Sequence, residues 1–200
     1  MNGWAAGSEM WARCSFNRDR IFSYVELLDG AADRALESVD AVVLVGFSMG
    51  GAMALQALLR HPDKVRGLVL VSATACMAEK RDEVWAGMNP RRIAAFRAGV
   101  LLMHPSDGSP ELDEANLDRG LEYLRTTDLR RELLEFAASR RPSFPVRILQ
   151  AARDGIVRPQ NADFLKRVFP QAVATILPVA GHDLPLLAPA AVDAAVAEVL

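Results

Sequence analysis

Short apolar runs alternate with amphipathic stretches along much of the chain. Residues 42–45, 65–72, 146–150 and 173–177 form runs that are rich in β-branched side chains and are bounded by turn-forming residues. Runs of this kind are typical of strands that are buried on both faces of a parallel sheet. Because helical patterns separate these runs, the sequence predicts an α/β fold with a mostly parallel sheet flanked by helices.

The segments around these strands have patterns that predict further elements. Residues 20–25 combine aromatic and β-branched side chains, so they predict another strand. His61-Pro62-Asp63 is predicted to end the helix that follows the first apolar run. Helices are predicted at residues 10–14, 31–36, 52–60 and 160–168, and in the alanine-rich stretch that begins at Pro189.

The middle of the chain, residues 75–141, has no convincing core strand. Asn89-Pro90 indicates a helix start that continues to about residue 102, and helical patterns recur at residues 112–124 and 129–138. We therefore predict a helical lid that is inserted between two strands and lies over their carboxyl ends, where ligands bind in such folds. The predicted division is 1–74 and 142–200 for the two parts of the core, with 75–141 as the lid.

The first strong strand runs into Gly46-Phe47-Ser48-Met49-Gly50 and then into a helical pattern. This sequence fits the G-x-S-x-G nucleophile elbow, in which a strained strand-to-helix turn exposes a serine hydroxyl. The alternative is a glycine-rich turn with an incidental serine. The strand–turn–helix context favours Ser48 as a nucleophile and the backbone N–H of Met49 as an oxyanion donor.

A serine nucleophile needs a base, and the loop after the last predicted strand carries His182. The chain has three histidines. His61 ends a helix on the far side of the sheet and is predicted to be structural, while His104 lies in a lid loop and is predicted to be solvated. A surface histidine is the alternative interpretation of His182, but its place after a strand favours the base.

The base needs a carboxylate that orients it, and Asp154 follows the preceding predicted strand in Arg153-Asp154-Gly155. Asp163 lies inside a predicted helix, and Asp183 is the immediate neighbour of His182. Both are weaker candidates. The order Ser48, Asp154, His182, each on a loop at a strand end, matches the order of the triad on the fold that has this elbow.

Composition narrows the class of protein. The 200 residues carry a formal net charge of −2, which argues against nucleic acid as the main partner. No apolar run reaches the roughly 18 residues of a membrane span, and no signal peptide is evident, so we expect no membrane partner. Cys14 and Cys76 are few and far apart in sequence, which predicts a reduced, cytoplasmic protein.

Several motifs together resemble one family. The chain is similar to α/β-hydrolase carboxylesterases that remove the methyl ester from pimeloyl-[acyl-carrier protein] in biotin biosynthesis. The segment 120–130, Gly-Leu-Glu-Tyr-Leu-Arg-Thr-Thr-Asp-Leu-Arg, is the most specific lid match. The other matching motifs are Asn2-Gly3-Trp4 with Glu9-Met10-Trp11, the elbow with Gly51, Ala75-Cys76 with Asp82-Glu83 and Gly87, Asp154-Gly155-Ile156-Val157, and Ala180-Gly181-His182.

The resemblance implies a substrate, a partner and a second oxyanion donor, and it implies that no metal or organic cofactor is needed. The backbone N–H of Trp4 would join that of Met49 in holding the oxyanion, while the Trp4 indole would line the acyl pocket; an aromatic side chain packing a frayed terminus is the alternative. Lid arginines would bind an acidic acyl-carrier protein that bears the methyl ester. Acidic residues nearly balance the available arginines, so solvated helix faces are an equal alternative. These arginines are Arg91, Arg92, Arg97, Arg125, Arg130 and Arg131.

The chain also departs from the family pattern. Asn2 replaces the usual histidine, and the lid is shorter between Phe96 and Gly120. Asn2-Gly3-Trp4, which resembles the oxyanion loop of the family, stands at the beginning of the sequence, whereas the family has sheet strands before this loop. We therefore expect N-terminal strands to be missing. We expect either that the predicted strand at residues 20–25 pairs directly with the elbow strand, or that translation begins upstream. We favour an upstream start.

Overall fold

A four-stranded parallel sheet forms the centre of the molecule. The computed structural model describes residues 1, 8–16, 20–76, 110 and 113–200. The strand order across the sheet follows the chain order, and every neighbouring pair is parallel. The predicted α/β fold with a parallel sheet is therefore confirmed. The strands are β1 (Val42–Phe47), β2 (Val65–Val71), β3 (Val146–Arg153) and β4 (Val173–Ala180).

Helices fill the connections between these strands. The structure describes α1 (Tyr24–Leu28), α2 (Ala31–Glu37), α3 (Met49–Arg60), α4 (Glu114–Thr126), α5 (Arg130–Arg140), α6 (Asn161–Val168), α7 (Leu184–Leu187) and α8 (Pro189–Ala197). Short 3₁₀ turns span Ser8–Trp11 and Pro62–Lys64. Among the described residues, no helix is both long and apolar enough to cross a membrane.

One face of the sheet is covered by the helices that connect its strands. Leu58 of α3, Leu133 of α5 and Leu165 of α6 belong to one buried cluster with Leu68 and Ile148 of the sheet. α5 therefore packs in the same layer as α3 and α6, although it lies within the stretch predicted as a lid. The boundaries of the lid stay a prediction, and its helix at about residues 90–102 lies outside the described residues.

The other face is covered by the two ends of the chain. Trp11 near the N-terminus and Leu184 and Val196 near the C-terminus share a second buried cluster with Phe47 and Val69 of the sheet. Burial on both faces explains the continuous apolar runs of β2 and of most of β3. β4 lies at the edge of the sheet, and its Val173 and Ile176 are 49% and 47% exposed, so the prediction that this run is buried on both faces is wrong. The carboxyl ends of the strands remain at one edge, where the loops that follow them meet.

The prediction of a strand at residues 20–25 is wrong. Ser23 instead caps α1: its hydroxyl accepts a hydrogen bond from the Glu26 amide at 3.3 Å, and the Ser23 amide donates to the Glu26 carboxylate at 2.9 Å. This reciprocal capping box satisfies two amides at the helix start and outweighs the β-propensity of the aromatic and branched residues around it. A Ser-x-x-Glu spacing in the sequence was the signal for this helix.

The outer edge of β1 is bonded to Met1 and not to residues 20–25. The Met1 amino group donates to the Val45 carbonyl at 2.8 Å, and the Phe47 amide donates to the Met1 carbonyl at 3.1 Å. Direct pairing of residues 20–25 with the elbow strand is therefore wrong. An upstream start stays a prediction.

Candidate active site

Ser48 forms the turn between β1 and α3. Its backbone has φ 53° and ψ −121°, which lies in a region that side-chain-bearing residues rarely adopt. The Ser48 amide donates to the Val71 carbonyl of the neighbouring strand at 3.0 Å. This turn confirms the predicted strand–turn–helix context, and it holds a strained backbone of the kind that is found at functional sites.

The glycines around Ser48 make the tight crossing sterically accessible. A Cβ atom at Gly46 would lie 2.6 Å from both the Gly50 carbonyl oxygen and the Gly51 Cα atom. A Cβ atom at Gly51 would lie 2.3 Å from the Cβ atom of Ala73. Any larger residue at either position would push the first turn of α3 away from the sheet and displace Ser48.

The loop after β3 surrounds the carboxylate of Asp154 with donors. One oxygen, Oδ1, accepts from the backbone amides of Ile156 at 2.8 Å and Val157 at 2.9 Å. The other oxygen, Oδ2, accepts from the side-chain amide of Gln150 at 2.9 Å and faces His182 Nδ1 at 2.9 Å. The side chain of Asp154 is fully buried, so these bonds replace the water it has lost.

Two opposing influences act on the acidity of Asp154. Burial is the largest single influence and on its own would raise the pKa of the carboxyl group. The hydrogen bond and the charge of His182, together with the amides of Val157 and Ile156, outweigh burial and hold the pKa below its ordinary value of 3.8. Asp154 is therefore an ionised carboxylate at neutral pH.

The loop after β4 carries His182 and is held from two sides. Gly181 has φ +119°, and its amide donates to the Arg153 carbonyl at 3.2 Å. The hydroxyl of Ser72, at the end of β2, donates to the His182 carbonyl at 2.9 Å. The ring of Phe47 lies 5.1 Å from the imidazole, centroid to centroid. These contacts fix both the backbone and the ring of His182.

The structure brings Ser48, His182 and Asp154 into one hydrogen-bonded line. His182 Nε2 lies 2.8 Å from Ser48 Oγ, and His182 Nδ1 lies 2.9 Å from Asp154 Oδ2. Because an ionised carboxylate only accepts hydrogen bonds, Nδ1 of the neutral imidazole carries the proton and Nε2 presents a lone pair to the serine hydroxyl. This arrangement can remove a proton from the nucleophile as it attacks.

Met49 occupies the first position of α3, directly after Ser48. The first amides of a helix have no partner within the helix, and the helix dipole adds partial positive charge at this end. The Met49 N–H is therefore placed to receive negative charge that develops beside Ser48. The other proposed donor, Trp4, lies outside the described residues.

The alternative candidates have other surroundings. His61 contacts Asp33 at the end of α3 that is far from Ser48, and Asp163 lies in the first turn of α6. Asp183 precedes α7, where its carbonyl accepts from the amides of Leu186 and Leu187. His104 lies outside the described residues.

Sequence reasoning missed three contacts in this site. Gln150 and Ser72 are polar residues that are fully buried in or beside strands, and Phe47 packs against the base. A glutamine within an otherwise apolar run was a usable signal, because a buried amide needs partners. The serine at the end of β2 gave no comparable signal.

The lid arginines that the structure describes pair with neighbouring carboxylates. Arg130 lies 2.8 Å from the carboxylate of Asp128, and Arg125 lies 4.0 Å from that of Glu122. Arg131 likewise lies 3.4 Å from the carboxylate of Glu132. These exposed pairs offset much of the positive charge on this part of the surface. Arg91, Arg92 and Arg97 lie outside the described residues.

Comparisons with known proteins agree with this fold. The model of the alpha/beta hydrolase family matches residues 5–195. An esterase from Exiguobacterium antarcticum superposes with a TM-score of 0.70 at 18% identity, covering 99% of this chain and 89% of that one. An enol-lactonase from Burkholderia xenovorans LB400 has a TM-score of 0.67 at 15% identity, covering 98% of this chain and 87% of that one.

A hydrolase from Pseudomonas aeruginosa PA01 has a TM-score of 0.60 at 21% identity, covering 86% of this chain and 71% of that one. At such identities the likeness concerns the fold, whereas the family match spans almost the whole chain. The chain belongs to the alpha/beta hydrolase family and is a serine hydrolase.

Proposed function

We propose that this protein is a carboxylesterase in which Ser48 is the nucleophile, His182 the general base and Asp154 the residue that orients it. The observation that carries the proposal is the unbroken line from Ser48 Oγ to His182 Nε2 at 2.8 Å and from His182 Nδ1 to Asp154 Oδ2 at 2.9 Å. Esterases among the structurally similar proteins agree with this reaction class.

The first half of the reaction forms an acyl-enzyme. Ser48 Oγ attacks the ester carbonyl carbon while its proton passes to His182 Nε2, and the carbonyl oxygen becomes an oxyanion beside the Met49 N–H. Asp154 stabilises the imidazolium that results. When the tetrahedral intermediate collapses, the bond to the alcohol oxygen breaks and His182 returns the proton to the departing alcohol.

The second half releases the acid. A water molecule attacks the acyl carbon, gives its proton to His182 Nε2 and forms a second oxyanion at the same place. The bond to Ser48 Oγ then breaks, Ser48 regains its proton from His182, and the carboxylic acid leaves. By resemblance, the N–H of Trp4 is the second oxyanion donor in both halves.

For the substrate, we propose the methyl ester of a pimeloyl chain carried by acyl-carrier protein, in biotin biosynthesis. The support is the resemblance of the lid segment, residues 120–130, together with its placement. The Met49 side chain packs with Tyr24 and Met53, and Tyr123 and Leu124 of α4 lie against that cluster. The most specific lid match thus packs against the cluster that contains Met49, the residue proposed to hold the oxyanion. Lid arginines would contact the carrier protein.

A general short-acyl esterase is the second candidate. Esterases are among the similar structures, which favours this candidate. The triad by itself does not select a substrate, so it fits other esters equally well. An inactive binding protein that keeps the elbow is the third interpretation, and it predicts no turnover of any ester.

Replacing Ser48 tests the reaction class. We expect Ser48→Ala to lower kcat for a p-nitrophenyl ester by roughly four orders of magnitude or more and to abolish labelling by a fluorophosphonate. Ser139→Ala, which removes a hydroxyl on α5, is the matched control and should keep both signals. Hydrolysis by folded Ser48→Ala at near the wild-type rate would reject the nucleophile.

The substrate is tested by comparing esters. We expect faster methanol release from a carrier-protein-bound pimeloyl methyl ester than from the same methyl ester without the carrier. Expression of the protein should also restore growth of a biotin-requiring strain that lacks this esterase. Equal rates with and without the carrier, together with no growth rescue, would favour the general esterase.

A further inference from the structure

Gln150 is a polar residue inside the apolar strand β3. Only 1% of its surface is exposed, and its strand neighbours Leu149 and Ala151 are buried apolar residues. An amide in such a place is costly unless its donors and acceptors have partners. The position therefore requires an explanation in terms of what the amide contacts.

The amide nitrogen of Gln150 bridges two acceptors in the acid loop. Nε2 donates to Asp154 Oδ2 at 2.9 Å and to the Val157 carbonyl at 3.0 Å. Because neither a carboxylate nor a carbonyl can donate, only the nitrogen of the amide can face this pair. The orientation of the Gln150 side chain is thus set by the loop, and the loop is held in turn by a strand residue.

The Gln150 bond falls on the oxygen that orients the base. Asp154 Oδ2 accepts both from Gln150 Nε2 and from His182 Nδ1, each at 2.9 Å. The backbone amides of Ile156 and Val157 hold the other oxygen, Oδ1. If only Oδ1 were held, the carboxylate could turn about that oxygen and carry Oδ2 away from His182. A donor to Oδ2 that belongs to the rigid sheet prevents this rotation.

We propose that Gln150 is a positioning residue that acts through Asp154, holding Oδ2 in line with His182 Nδ1 so that the imidazole keeps the tautomer and direction needed by Ser48. This inference rests on the proposed esterase function. It adds a side chain on β3 to the machinery, and it assigns that side chain an effect on turnover rather than on substrate affinity.

The substitution Gln150→Met removes the donor and keeps the length of the side chain. We expect kcat for a p-nitrophenyl ester to fall about 10-fold, as expected for losing a hydrogen bond to a charged group, with KM unchanged within about twofold. Gln56→Met is the matched control. Gln56 accepts from the Tyr123 hydroxyl, and it lies eight positions beyond Ser48 on α3, about 12 Å along the helix. Its kcat should stay at the wild-type value.

A double-mutant cycle with Asp154→Ala separates positioning from a general packing effect. If Gln150 acts through Asp154, adding Gln150→Met to Asp154→Ala should lower kcat by less than about twofold. A further 10-fold loss in that background would overturn the inference. Wild-type activity in Asp154→Ala alone would instead reject the proposed acid, so the two failures are distinguishable.

Gln150→Glu provides a second variant if Gln150→Met does not fold. The introduced carboxyl group, when neutral, can donate its O–H to Asp154 Oδ2, whereas its ionised form repels that oxygen. We expect the ratio of the kcat of this variant to the wild-type kcat to fall as pH rises. A ratio near one across the whole pH range would overturn the inference.

Discussion

The molecule contains two aspartate–histidine pairs with almost the same local description. Asp154 Oδ2 lies 2.9 Å from His182 Nδ1, and Asp33 Oδ1 lies 2.9 Å from His61 Nε2. In both pairs the acid precedes the base by 28 residues. Residue types, chain order, spacing and distance therefore do not distinguish a triad pair from a structural one.

Solvent exposure separates the two pairs. The side chains of His182 and Asp154 are 9% and 0% exposed, whereas those of His61 and Asp33 are 23% and 28% exposed. Charges that are partly solvated interact weakly because water and salt screen them. The buried pair can hold one proton arrangement, whereas the partly exposed pair ties α2 to the end of α3.

The remaining partners of each pair complete the contrast. The second oxygen of Asp33 faces the guanidinium of Arg60 at 2.6 Å, so that carboxylate is balanced by a permanent charge. Asp154 has neutral amide donors instead, which leaves His182 as its cationic partner when the imidazole is protonated. Only His182 has a hydroxyl, that of Ser48, at its other nitrogen within the described contacts. Under the proposed function, it is this setting that distinguishes Asp154 and His182 as the catalytic pair.

The contrast is tested most strongly by the same substitution in both acids. We expect Asp154→Asn to lower kcat by roughly three to four orders of magnitude, because an amide allows the wrong histidine tautomer. Asp33→Asn should leave kcat within about twofold, since the partly exposed Asp33–His61 pair lies at the end of α3 far from Ser48. Steady-state kinetics on a p-nitrophenyl ester, with circular dichroism as a folding check, measures both. Equal losses of kcat in the two variants would show that the two pairs do not differ in function.

The strands and the elbow were predictable because their signals are local. Strands at the centre of a parallel sheet need apolar, β-branched runs, and the elbow needs small residues where Gly46 meets the backbone of Gly50 and Gly51 and where Gly51 meets the Ala73 side chain. The helix at Tyr24–Leu28 was missed because a capping box and a β-rich composition gave opposite signals, and the cap decided.

The meeting of Ser48, Asp154 and His182 was predictable from their positions, whereas the residues that support them were not. Ser48, Asp154 and His182 each follow a strand, and the carboxyl ends of parallel strands meet at one edge. Gln150 contacts Asp154, and Ser72 contacts His182, because of the strand register and the loop geometry. Both depend on long-range strand pairing, which local sequence patterns do not reveal. α5 was placed in the lid because its membership of the core depends on contacts with α3 and α6.

The depressed pKa of Asp154 predicts how acid affects the fold. A carboxyl group whose pKa is lower in the folded than in the unfolded protein contributes stability above its ordinary pKa of 3.8, and this contribution is lost as pH falls through the folded value. We therefore expect the free energy of unfolding of the wild type, minus that of Asp154→Asn, to decrease as pH falls through and below 3.8.

Urea unfolding from about pH 5 to about pH 2.5 measures this difference. The same series with Asp33→Asn makes the comparison between the two pairs quantitative. A wild-type advantage that grows as pH falls would mean that the pKa of Asp154 is raised in the folded protein, so burial and not hydrogen bonding would dominate at this carboxylate.

The smallest expected effect concerns the backbone that carries each histidine. Each histidine carbonyl accepts a backbone amide, that of Leu184 at 2.9 Å for His182 and that of Lys64 at 3.1 Å for His61. The His182 carbonyl also accepts the Ser72 hydroxyl at 2.9 Å, and Ser72 is fully buried with φ +46°. Ser72→Ala removes the hydroxyl and keeps the strained backbone. We expect it to lower kcat by roughly threefold to tenfold through a looser His182 loop, the range expected for one lost hydrogen bond.

Ser72→Gly separates the hydroxyl from the strain. It also removes the hydroxyl, but glycine adopts φ > 0 without the cost of about 1–2 kcal/mol that other residues incur, partly offset by the larger entropy of its unfolded chain. Ser72→Gly should therefore unfold at higher urea than Ser72→Ala while losing the same activity. Arg141→Gly, at φ +47° after α5, is the control that should gain stability with kcat unchanged. If Ser72→Ala has wild-type kcat, the hydroxyl does not hold the base, and the amides of Gly181 and Leu184 with the Phe47 ring are sufficient to hold His182.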